Sequence, residues 1–118
     1  MTRTFSEPIK FEQGVVDEVT ATLTATGTEI ADAVALTKAI TNVSTVASGT
    51  GVQLTMAVGQ RQVLRNSGAN ALLVYPTGAG VKINGGTDGA AVSVAATELA
   101  TFYRVSATNI IGGVAVVF

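Results

Sequence analysis

The side chains that do most enzymatic work are scarce in this sequence and badly spaced for it. Its 118 residues contain no histidine and no cysteine. That removes the commonest general base and metal ligand, thiolate nucleophiles, zinc–thiolate sites and any Ser-His-Asp triad. Carboxylates, lysines, arginines and two tyrosines remain. Asp17 and Glu18 are adjacent, so on a strand they point to opposite faces and cannot share a proton. Glu29 and Asp32 would share a face if their segment were helical, and read best as solvated surface. Asp88 stands in Gly85-Gly86-Thr87-Asp88-Gly89, without the alternating acids and terminal glutamate of an EF-hand calcium loop. Gly49-Thr50-Gly51 and Gly78-Ala79-Gly80 lack both the third glycine of a dinucleotide fingerprint and the Gly-Lys-Ser/Thr of a phosphate loop. Arg61 and Arg65 flank Val63 on one strand face. They fit a solvated or intersubunit face, as does Arg104, paired with Glu98 or another acid better than with a phosphate. Tyr75 and Tyr103 could stack on a glycan, but packing is the plainer role. No catalytic residue, metal site or cofactor is expected.

Composition agrees with a non-catalytic, associating chain. Hydrophobic residues make up 47%, aromatics 5% and charged residues 13%, against about 25% charged in ordinary soluble domains. So thin a charged surface favours burial against partners. The net charge is −1, with basic residues scattered singly, which gives no footprint for nucleic acid. No apolar run approaches the ~20 residues of a membrane helix. Two tyrosines and no tryptophan cannot furnish the girdles of a membrane barrel. Residues 1–11 show no secretory h-region.

These residues must be positioned by strands. Glycines punctuate stretches rich in β-branched residues, and proline occurs only at Pro8 and Pro76, the pattern of many short strands. In residues 14–25, Val15, Val19, Ala21 and Leu23 alternate with Val16, Glu18, Thr20, Thr22 and Thr24, predicting a strand with a threonine-rich outer face. Residues 29–39 fit either a short helix or an irregular linker. Further strands are expected at 40–47, 52–57, 60–66, 71–75, 81–84, 91–95, 99–106 and 110–118. Asn84-Gly85 is the strongest turn signal, because a type I′ turn needs positive φ at both positions. No internal repeat stands out. The reading is an all-β chain: an N-terminal arm, strand and linker over residues 1–39, then a single antiparallel β-sandwich, jelly-roll-like, over residues 40–118. In the arm, Phe5, Ile9 and Phe11 are too few to form a core of their own. They either complete the domain's sheet as a first strand or dock on a partner or neighbouring subunit.

Gly51-Val52-Gln53-Leu54, Val58-Gly59-Gln60, the run from Val63-Leu64-Arg65-Asn66 to Val74-Tyr75-Pro76, Ile83-Asn84-Gly85 and Ala100-Thr101-Phe102 together resemble a β-rich module of tailed-bacteriophage virion proteins. That group includes capsid decoration (cement) proteins, head fibres and tail fibres. The resemblance covers about residues 40–118. It departs from the group's pattern at Ile110-Ile111, where an aromatic, commonly tryptophan, stands in similar chains. The resemblance implies a jelly-roll homotrimer on the outer surface of a phage capsid, bound to the major capsid protein. A receptor- or glycan-binding fibre module is the alternative, with a groove around Tyr75, Tyr103 and residues 84–88.

Overall fold

The computed structural model describes residues 17–114. It is all-β, with no helix among the described residues and two sheets. The strands are β1 (Val19–Thr24), β2 (Val34–Ala35), β3 (Ile40–Thr45), β4 (Gly51–Gln53), β5 (Arg61–Asn66), β6 (Leu72–Tyr75), β7 (Lys82–Ile83), β8 (Val92–Val94), β9 (Leu99–Ser106) and β10 (Asn109–Val114). The larger sheet has the order β1-β3-β5-β9-β10-β7 and the smaller β2-β4-β6-β8.

From β1 to β6 the chain alternates between the sheets, and each strand lies parallel to the previous one in its own sheet. Val19 pairs with Ile40 and Ile40 with Val63, a step of roughly 20 residues per coil, at the short end of solenoid periods. Two corners repeat as well as the strands: Gly27 and Gly49 both have φ of +81°, a conformation glycine adopts without steric penalty. After β6 the coil ends. β8 and β9 run antiparallel to β6 and β5, and β10 returns antiparallel along β9. The short β7 lies parallel to the start of β10.

Between the sheets lies one apolar core. Val43, Leu64, Phe102 and Ile110 of the larger sheet meet Val52, Leu72, Val74 and Val94 of the smaller, with Leu36 and Leu54 at the corners. Burying each such side chain contributes about 1.5–3 kcal/mol. Two buried amides tie the framework. Gln62 accepts from Thr55 N–H (2.7 Å) and donates to Thr55 Oγ1 (2.9 Å) and the Lys38 carbonyl (3.4 Å). Asn66 donates to the carbonyls of Asn70 (2.7 Å) and Val94 (2.9 Å) and accepts from Gly68 N–H (3.0 Å).

The expected strands from residue 40 onward each have a counterpart, apart from residues 115–118, which lie outside the described range. The expectation of an antiparallel sandwich is corrected: both sheets are mixed, and jelly-roll connectivity, whose neighbours run antiparallel, does not describe β1 to β6. The physical reason is that glycine turn chemistry and period-two alternation are the same at a hairpin and at a corner between sheets. A repeat is present in space although none stood out in sequence. Residues 29–39 form no helix. Asp32 and Ala33 N–H both donate to the Glu29 carbonyl (3.1 and 3.0 Å), a single turn that leads into β2. Within β1 the expected faces hold at Thr22, Leu23 and Thr24 but not before the register shift that follows Thr20. Val19 and Ala21 are exposed, while Thr20 and Leu23 are half-buried.

Candidate functional site on the outer face of the larger sheet

Strand β9 is apolar on both faces. Ala100 and Phe102 enter the core, while Leu99, Thr101, Tyr103 and Val105 point away from it. On β5 the outward residues are Arg61, Val63 and Arg65, and register sets them opposite Tyr103, Thr101 and Leu99. Ile111 of β10 flanks Tyr103 on its other side. A row of residues follows across five strands, Val19, Ile40, Val63, Thr101 and Gly113. Leu99 and Val105 are each 50% exposed, and Tyr103 and Ile111 each 44%. Contiguous apolar exposure of this kind marks association surfaces.

Among the described residues, the charged side chains that β5, β9 and β10 themselves place on this face are Arg61 and Arg65. Arg61 reaches Asp17 at 3.8 Å, with both side chains partly exposed, so the pair adds little stability. Beside it lies an open depression of about 560 Å³ lined by Asp17, Lys38, Gln60, Arg61 and Tyr103, among others. A second, of about 300 Å³, lies between Val58, Tyr103 and Val105. Tyr103 therefore stands between two hollows. At the rim, Lys38 Nζ contacts Glu18 at 2.7 Å. That hydrogen bond, with the attraction of the ammonium charge, holds the Glu18 carboxyl below its ordinary range.

Arg104 is not a free base on this face, and neither it nor Arg65 meets Glu98 in an ion pair among the described residues. It clips a loop instead, donating to the carbonyls of Met56 (3.2 Å) and Ala107 (2.9 Å). Its backbone bonds Gly59 and Gln60 at 2.8 and 3.1 Å. The expected glycan groove is not assembled. Tyr75 is buried in the smaller sheet with its hydroxyl donating to the Thr28 carbonyl (3.0 Å), whereas Tyr103 stands on the outer face of the larger one. Asp88 contacts Lys82 at 3.2 Å. Asn84 and Gly85 take φ of 55° and 71°, and Gly86 N–H donates to the Ile83 carbonyl (3.1 Å), the type I′ turn expected. The Asn84 side chain then donates to the Gly112 carbonyl (2.7 Å) and accepts from its N–H (3.0 Å), imitating a strand neighbour. Among the described residues no group of three or more acidic, histidine or cysteine side chains could hold a metal ion. Phe5, Ile9 and Phe11 lie outside the described range.

The patch itself was not singled out from sequence. Its signal lay in β9, where Leu99, Tyr103 and Val105 alternate with Ala100 and Phe102, so that either face could have been the inner one. Comparison with family models, with curated proteins and with solved structures finds no match to this chain.

Proposed function

We propose that this chain is a non-enzymatic structural protein of a tailed-phage virion. It decorates the outer surface of the capsid as a homotrimer and reinforces contacts between major capsid protein subunits. The observation that carries the associative part is the outer face of β5, β9 and β10. Leu99, Tyr103, Val105 and Ile111 form an apolar surface there to which these three strands, among the described residues, add two charged side chains, Arg61 and Arg65. A lone domain gains nothing from such a surface, whereas a subunit that buries it against copies of itself gains hydrophobic stabilisation. Placement on a capsid is supported by the resemblance of residues 40–118 to virion β-modules.

Sedimentation of the free protein tests association. A trimer is expected, and Tyr103→Asp with Ile111→Asp should yield monomer without loss of folded signal. Heating phage heads with and without the protein tests reinforcement, and equal melting of both would remove the cementing role. Glycan binding is the alternative, and the position of Tyr103 between two hollows is the observation that favours it. Glycan-array binding that Tyr103→Ala abolishes, with no effect of the protein on head stability, would select it.

A further inference from the structure

Asn84-Gly85 carries a chemistry of its own. The backbone nitrogen after an asparagine can attack that asparagine's side-chain amide, and glycine, with no Cβ, leaves the approach unhindered. The other asparagines precede Val43, Ser67, Ala71 and Ile110, each of which puts a side chain in the way.

The fold brings this reaction part-way and then blocks it. Ring closure needs Asn84 Cβ and Gly85 N nearly eclipsed about the Asn84 Cα–C bond. At positive φ that is the first central position of a type II′ turn, with φ about +60° and ψ about −120°. Asn84 already has φ of 55°. Its turn is type I′, however, where ψ is about +30° and the nitrogen lies nearly opposite Cβ. The two turn types share the bond seen here from Gly86 N–H to the Ile83 carbonyl (3.1 Å). They differ by a flip of the central peptide, and Gly85 tolerates either sign of φ. The side chain supplies the remaining resistance. Its Nδ2 donates to the Gly112 carbonyl (2.7 Å) and its Oδ1 accepts from Gly112 N–H (3.0 Å). Both bonds must break before the amide can turn toward Gly85.

We propose that Asn84 is a site of self-modification, gated by its bonds to Gly112, and that the modification unlatches β7 from β10. Once the side chain leaves Gly112 and the peptide flips, Gly85 N bonds to Asn84 Cγ. The Cγ–Nδ2 bond breaks, and the amide nitrogen departs as ammonia with the Gly85 N–H proton. Water then opens the imide, at Cγ to give aspartate or at the backbone carbonyl to give isoaspartate. Neither product can restore the latch. An aspartate carboxylate has no proton to donate to the Gly112 carbonyl, and isoaspartate lengthens the backbone of a two-residue turn. Because β7 is only two residues long, the latch is a large part of its hold on β10. Ile83, 4% exposed, is the side chain that β7 gives to the core.

Peptide mapping by mass spectrometry reads the conversion at each asparagine. Asn66 is the internal control, since its buried amide makes three hydrogen bonds and is freed by global unfolding. Folded and denatured protein are incubated at the same mildly alkaline pH, and each asparagine's folded rate is divided by its own denatured rate. Folding should slow Asn84 by about tenfold or more and slow Asn66 further still, because local opening is easier than global unfolding. Equal folded and denatured rates at Asn84 would overturn the gate. So would equal suppression at Asn84 and Asn66, which would leave global unfolding as the sole route. Asn84→Asp, identical to one product, should accelerate amide exchange at residues 82, 84 and 112 by about tenfold. Unchanged exchange there would overturn the unlatching of β7.

Discussion

Thr41 is buried in β3 at 2% exposure, and its hydroxyl has no hydrogen-bond partner among the described residues. A buried unpaired hydroxyl costs free energy that a methyl in its place does not. Thr41→Val should therefore stabilise the protein by about 1 kcal/mol, measured as a raised denaturant midpoint at unchanged m-value. Asn66 is the opposite case, because both ends of its amide are used. Asn66→Ala strands the carbonyls of Asn70 and Val94 and should cost about 3 kcal/mol in the same experiment. Glu18 predicts a pH dependence. Its carboxyl titrates below the ordinary range because Lys38 favours the charged form. Its stabilising contribution is therefore present above the usual carboxylate pKa and is lost as pH falls through the lowered value. Stability curves of wild type and Glu18→Gln should differ near neutral pH and converge in acid.

At the level of elements, the antiparallel β9–β10 pair shows how much of the fold was legible. Both strands were expected from their alternation and from the turn between them, and both are present. Their partners were not, because alternation tells which residues share a face but not which strand lies alongside. Gly112 illustrates the limit. It has φ of 141°, and a Cβ there would overlap the Thr101 carbonyl oxygen. Nothing in Ile111-Gly112-Gly113 announces that approach. Gly112→Ala should separate β10 from β9 and release the Asn84 side chain, with accelerated amide exchange at residues 109–114 as the measurement. Phe102→Ala, in the centre of β9, should cost about 4 kcal/mol through the cavity it leaves.

At the level of the whole molecule, the coil of β1 to β6 and the antiparallel return of β8 to β10 give a two-sheet body with one apolar face turned outward. Arg61 and Arg65 are the charges that resist its burial between copies. Arg65→Leu should therefore strengthen self-association, read as a shift of the sedimentation midpoint to lower protein concentration. Tyr103→Asp should weaken it, because a carboxylate would lose its hydration at the centre of the face.

The sequence by itself determined the all-β class, the presence of a strand in each expected stretch from residue 40 onward, the Asn84-Gly85 turn and the absence of histidine and cysteine chemistry. These follow from local steric preferences and residue identity, which act within a few positions. Only the tertiary structure decided that β1 to β6 coil in parallel, that Val19 and Thr20 swap their expected faces before the register shift in β1, that Arg104 clips a loop, and which face of β9 is exposed. Each of these depends on contacts between residues far apart in the chain. Where both faces of a strand are apolar, only the packing of the other sheet against one of them decides which becomes core.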